Sequence, residues 1–157
     1  MNFTKISLLA GAAIIAVSCS TTKNYRINSK SGTNTQGTAD FVQKGKTVAL
    51  NLNVYKLTPG IHAVNLHEKG DCSAADGTST GGHWNPGKDD HGKWGAEHFH
   101  MGDIGNLEAG TDGKAKLTFK TDKWCLDCVD ESKNIIGKGI IIHADKDDFM
   151  TQPTGNA

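Results

Sequence analysis

A long stretch, residues 68–103, lies between two segments of strand character and has almost none itself. It is rich in Gly, Asp, Ser and Asn. A compact domain does not leave an excursion of that length structureless unless something functional orders it, because chain entropy and free backbone groups oppose it. Four of the seven histidines fall there: His83, His91, His98 and His100. The run His83-x7-His91-x8-His100-x2-Asp103 supplies three imidazoles and a carboxylate, a closed four-coordinate set suited to zinc. Each of these histidines alone is an ordinary surface or capped residue; their grouping on one Gly-rich loop reverses that reading. A metal is expected to clamp the loop.

The flanking sequence is all-β. "VALNLNVYKL" puts Val48, Leu50, Leu52 and Val54 on one face and Asn51, Asn53 and Tyr55 on the other. "AKLTFKTD" repeats this with Ala115, Leu117 and Phe119. "TADFVQKGKTVAL" reads as two strands joined at "KGK", a hairpin signal, and "LTPG" as a turn. "NIIGKGIIIHA" reads as a nearly continuous apolar strand that ends at His143. No helical period follows residue 19, so antiparallel strands in a sandwich or barrel are expected. The abundance of Gly (19) and a hydrophobic share of only 36% suit strands and loops. The length suggests one domain. Seventeen basic and 17 acidic residues balance, which argues against nucleic acid as a partner.

Within "GIHAVNLHEKGDC", Asn65 and His67 are two residues apart and share a strand face. An H-x-H pair in that place would hold a redox metal; N-x-H sets a neutral amide beside one imidazole. At the start of the chain, Lys5 precedes an apolar run, residues 6–17, too short to span a bilayer as a helix. It ends in "AVSC". This matches a lipoprotein signal with Cys19 as the lipidated new N-terminus, Ala16 standing in for the commoner leucine; the alternative is an ordinary secretory signal cut near Ser18. Both place the mature protein outside the cytoplasm, where disulfides persist. Residues 20–23 read as a short tether. Apart from Cys19, three cysteines remain, Cys72, Cys125 and Cys128, an odd number that leaves one thiol over. The C-x-x-C of "WCLDC" admits a redox motif, half a zinc site or a local disulfide; no helix follows Cys128, which favours the disulfide.

Several pieces together resemble the copper–zinc superoxide dismutase family in its bacterial secreted form: "HEKGDCSAADGTSTGGHWNP", "HG" at His91, "HMGDIGNL", "IIGKGIIIHADKDDF" and "QPTGNA". The resemblance runs from about residue 38 to the end. It implies a flattened Greek-key antiparallel β-barrel, an immunoglobulin-like sandwich, with long zinc and electrostatic loops. The implied organisation is a signal at 1–19, a tether and first strand at 20–37 and the copper/zinc domain at 38–157. His83 would be the bridging imidazolate shared by zinc and copper. His91, His100 and Asp103 would complete the zinc set, and His67 and His143 would bind copper. Asp147 would accept imidazole N–H bonds and link the two halves. His62 and His98 stand outside the pattern and read as structural. The implied catalytic residues are His67, His83 and His143, the substrate is superoxide anion, and the products are oxygen and hydrogen peroxide.

Two departures from the family pattern bear on activity. Asn65 occupies the place of a fourth copper imidazole. An amide oxygen is a weaker donor, so zinc loading should survive while the copper site is weakened. The family pattern also continues past "GNA" with a glycine, an arginine that guides the anion, a cysteine that would pair with Cys72 and a final strand; the sequence stops at Ala157. Without that strand the resemblance implies an unpaired barrel edge, and without the arginine a weaker pull on superoxide. The expectation is an impaired superoxide dismutase, exported and periplasm-facing or on the outer membrane of a bacterium, held to membrane lipid through Cys19. The alternative is a non-enzymatic zinc-binding exported lipoprotein of the same fold. The sequence assigns no oligomeric partner.

Overall fold

A computed structural model describes residues 20–157. Cys19 and the signal segment lie outside the described residues. Seven strands follow in order: β1 (Ser20–Ile27), β2 (Gln36–Lys44), β3 (Thr47–Tyr55), β4 (Gly60–His67), β5 (Asp103–Ala109), β6 (Ala115–Thr121) and β7 (Gly139–Ile142). One antiparallel sheet has the order β1-β2-β3-β6 and the other β5-β4-β7. The chain crosses between sheets after β3 and returns after β5, so β6 lies beside β3 in a Greek-key connection. The only helical element among the described residues is a single turn at Thr78–Thr80.

The alternation in β3 is realised as read: Val48, Leu50, Leu52 and Val54 are buried, and β6 pairs with them so that Leu50 faces Phe119 and Leu52 faces Leu117. These side chains meet Val64, Leu66 and Leu107 from the second sheet to form the core. The β2–β3 hairpin turns through Gly45 and Lys46, with Gly45 at φ 57, a conformation that favours glycine. Strand β4 differs from the rest: every residue from His62 to His67 is buried. Its core face carries Val64 and Leu66, and the long loop covers the other. A register shift against β5 between Val64 and Asn65 sets Asn65 opposite Asp103.

Two segments depart from the sequence reading. Ser20–Ile27 is a strand throughout, so residues 20–23 are not a tether; they pair with Lys44, Gln43, Val42 and Phe41. The apolar run before His143 is not one continuous strand. Ile135 N–H donates to Cys125 O, Gly137 takes φ 83, and only Gly139–Ile142 forms β7. Among the described residues β1 and β7 each have one partner, and an apolar cavity of about 430 Å³ lies between them, walled by Tyr25, Ile27, Phe41, Leu66, Ile136 and Ile140.

Candidate metal centre

The long loop is stitched to β4 by backbone bonds. Glu68 N–H donates to Gly82 O (3.0 Å), Trp84 N–H to Leu66 O (2.8 Å) and Gly102 N–H to Trp84 O (2.9 Å). His67 and His83 thus face each other across a short antiparallel bridge. Gly102 packs so tightly that a Cβ there would strike Leu66 O. Further along, Trp124 is buried against Phe41, Phe119 and Trp94, and its indole N–H donates to Met101 O at 2.9 Å. The loop is therefore fixed at both ends before any ion is considered.

The structure brings His83, His91, His100 and Asp103 together as one buried group. Asp103 is fully buried at its centre. Its Oδ1 lies 2.8 Å from His83 Nδ1 and 3.4 Å from His100 Nδ1, and its Oδ2 lies 3.0 Å from His91 Nδ1. Backbone N–H groups of His100 and Gly92 also donate to Oδ2, at 2.8 and 3.3 Å. Burial opposes a charge on Asp103, but the nearby His100 and His83 rings and the His100 backbone N–H hold its carboxyl well below the usual carboxylate range. Burial likewise works against a charge on His100, and the adjacent Asp103 carboxylate outweighs it, so the pKa is raised. His91 Nδ1 and His100 Nδ1 are buried with no hydrogen-bond partner although each faces the carboxylate. Orphaned inward nitrogens are what a cation-binding set leaves when its lone pairs converge on one point. The four donors fit zinc.

His91 is oriented from behind: its Nε2 lies 2.8 Å from Asp147 Oδ1. A carboxylate there fixes the ring tautomer and leaves Nδ1 free for the ion. Asp147 is locked in turn by Asn106, which accepts from Asp147 N–H (2.8 Å) and donates to Asp147 O (3.0 Å). Asp147 Oδ2 is buried and without a partner.

A second group, His67, His83 and His143, shares His83 with the first. His67 Nδ1 bonds Gly81 O at 2.7 Å, with Thr80 Oγ1 at 3.2 Å, which turns Nε2 inward. That Nε2 lies 3.4 Å from His143 Nε2. Burial, then the neighbouring His67 and His83 rings, pushes His143 down to about 4; burial also lowers His67. Both imidazoles are thus neutral near pH 7, the form a metal requires. Asn65 is fully buried beside them; its Nδ2 is 3.5 Å from His83 Nδ1 and its Oδ1 has no partner. Three imidazoles and an orphaned amide oxygen make a donor set that fits copper. His67 and His143 line a cavity of about 770 Å³ that gives this group access to the outside.

The remaining predicted residues stand apart. His62 is buried with both nitrogens engaged, by His143 O (2.9 Å) and Thr58 O (2.8 Å), and serves packing. His98 is exposed on the loop surface. Cys125 and Cys128 form a disulfide, and Cys72 is a free, exposed thiol. Sequence reasoning missed three residues. Thr80 supports His67. Gln152 grips the His91 backbone from both sides: His91 N–H donates to its Oε1 (2.8 Å), and its Nε2 donates to His91 O (2.9 Å). Gly155, at φ 79, lies against the His91–Asp147 pair, where a Cβ would be 2.6 Å from Asp147 Oδ1. The "QPTGNA" segment was the available signal for the last two, but backbone-directed contacts leave no spacing pattern.

Comparison with known proteins agrees with this geometry. The family described as copper/zinc superoxide dismutase (SODC) matches residues 35–157. The chain is 38% identical over 133 residues to an extracellular Cu-Zn superoxide dismutase of Haemonchus contortus, covering 78% of this chain and 68% of that protein. It is 34% identical over 131 residues to Cu-Zn superoxide dismutase 2 of Mesembryanthemum crystallinum, covering 79% and 81%. An extracellular Cu-Zn superoxide dismutase of Caenorhabditis elegans is 35% identical over 127 residues, 77% of this chain and 56% of that protein. The crystal structure of the clock protein EA4 superposes with a TM-score of 0.70 at 31% identity, over 78% of this chain and 80% of that one. Joined to two donor groups that meet at one histidine, these matches establish that the chain belongs to the copper/zinc superoxide dismutase family, which uses copper and zinc.

Proposed function

We propose that this chain is a superoxide dismutase, converting two superoxide anions and two protons into oxygen and hydrogen peroxide, at a rate reduced by Asn65. The observation that carries the reading is His83, one imidazole common to both donor groups. Zinc is held by His83, His91, His100 and Asp103, and copper by His67, His83 and His143. Copper bound there supplies the one-electron exchange that oxidises one superoxide and reduces the next. The protein's own part is positional. Gly81 O and Thr80 hold His67 with Nε2 inward, β7 delivers His143 at its end, and Asp103 anchors His83 from the zinc side. The cavity at His67 and His143 is large enough for a small anion and its water to reach the centre.

The extracellular relatives and the Cys125–Cys128 disulfide support export. With the "AVSC" signal they suit a bacterial lipoprotein held to membrane lipid through Cys19, facing the periplasm or on the outer membrane. A second reading has its own support in Asn65: a zinc-stapled exported lipoprotein without catalysis. Loading the chain with zinc and copper and assaying superoxide removal separates the two. Activity that disappears in His143→Ala while zinc content holds supports the enzyme. One equivalent of zinc, and no activity with copper bound, supports the binding module.

A further inference from the structure

We infer that the His67, His83 and His143 centre of this chain selects copper(I) over copper(II), and that Asn65 sets the preference. The inference rests on the assignment of these three histidines as copper ligands and adds an oxidation-state specificity to it. Three features of the centre point the same way.

The first is donor count. Only three imidazoles converge. Neither spare histidine can become a fourth, because both His62 nitrogens are held by carbonyl oxygens and His98 lies exposed on the loop surface. Three nitrogen donors complete a low-coordinate copper(I) shell, whereas copper(II) prefers a tetragonal set of four or more N and O donors.

The second is charge. His67 and His143 are neutral imidazoles and Asn65 is a neutral amide, so the one negative charge among the donors is the imidazolate that His83 becomes when zinc shares it. The nearest buried carboxylate, Asp103, bonds His83 Nδ1 on the zinc side. A divalent ion there is left with uncompensated charge, whereas a monovalent ion is balanced by that single imidazolate, and the cost of burial rises steeply with net charge.

The third is spacing. His67 Nε2 and His143 Nε2 are 3.4 Å apart. A metal held by both nitrogens at about 2.0 Å would see them roughly 115–120° apart, wider than the right angle that neighbouring donors of a tetragonal site would need. Asn65 Oδ1, buried and unpartnered, is a further donor beside the three rings, and a neutral amide oxygen is a poor substitute for imidazole.

The test uses the full chain loaded with one equivalent of zinc. Copper(I), under anaerobic conditions, and copper(II) are each titrated against a chelator specific for that oxidation state, in wild type and in Asn65→His. Asn65→His is expected to raise copper(II) affinity at least tenfold more than copper(I) affinity, equivalent to a fall of about 59 mV or more in the one-electron midpoint potential. Equal changes in the two affinities overturn the inference. Asn65→Ala provides a second handle that adds no bulk: copper(I) affinity should stay within about threefold of wild type. A larger loss places the amide in the copper(I) shell and also overturns the inference. The underlying ligand assignment fails in a different way, by copper binding in either state that persists unchanged in His143→Ala.

Discussion

The two donor groups share His83 yet are built on opposite principles. Around Asp103, one fully buried carboxylate gathers three imidazoles and two backbone N–H groups, so a cation is welcome and His100 is shifted toward its charged form. Around His67 and His143 there is no carboxylate among the donors, and burial drives both rings toward neutrality. The first group is a charge-compensated staple for a loop. The second has no carboxylate of its own and opens to a cavity, with the Asn65 amide buried beside its rings. A shared ring therefore does not give the two halves a shared character; the local carboxylate does.

The largest predicted effect breaks the first half. Asp103→Ala removes the common anchor, and zinc affinity should fall by ~100-fold or more. With zinc held ~100-fold above its Kd, the wild type gains about 2.7 kcal/mol from binding, and the variant should lose it in chemical denaturation. Amide hydrogen exchange across residues 68–102 should accelerate at the same time. Retained zinc with an ordered loop would remove Asp103 from its central role.

Next, Gly155→Ala should lower zinc affinity ~10–100-fold, because its Cβ strikes Asp147 Oδ1 and the residue sits at φ 79. Copper affinity should change far less. If both metals weaken together, the halves are more tightly coupled than their chemistry suggests.

The metal-free protein should show the contrast in its pH dependence. His100, raised above 6.5, contributes stability that is complete below about 6.5 and is lost as pH rises through its folded value. His143, lowered to about 4, does the reverse: the unfolded chain binds the proton first, so stability falls as pH drops from about 6.5 to about 4, and His67 acts in the same direction. The acid-side loss should be on the order of 2 kcal/mol. Urea midpoints should therefore peak near pH 6.5, with His143→Gln flattening the acid side only. A peak that stays put and keeps its acid slope in that variant would falsify this division.

The smallest effect concerns the clamp. Gln152→Ala removes two hydrogen bonds to the His91 backbone and should cost about 1–2 kcal/mol in the zinc-loaded protein. An unchanged denaturation midpoint would reduce the contact to decoration.

How much of this was readable beforehand depended on where the information sat. The first group was legible because its four donors lie on one loop at metal-ligand spacing. The second was not legible from spacing, since His67, His83 and His143 come from a strand, a loop and a strand end; only family resemblance joined them. The period-two pattern found β3 and β6, whose two faces differ in environment. It missed the start of β1, because Ser20–Lys23 lie on an edge strand exposed on nearly every residue and so carry no alternation. It overran β7, because a chain of isoleucines looks the same on both sides of Gly137, and only the backbone turn at that glycine separates loop from strand.

Gln152 grips a zinc-side histidine by its peptide groups rather than by its ring. A segment 61 positions away in sequence thereby bears on the pose of His91 without touching its ring. Strain arriving at Gln152 would reach the site through the main chain and leave every candidate ligand atom untouched.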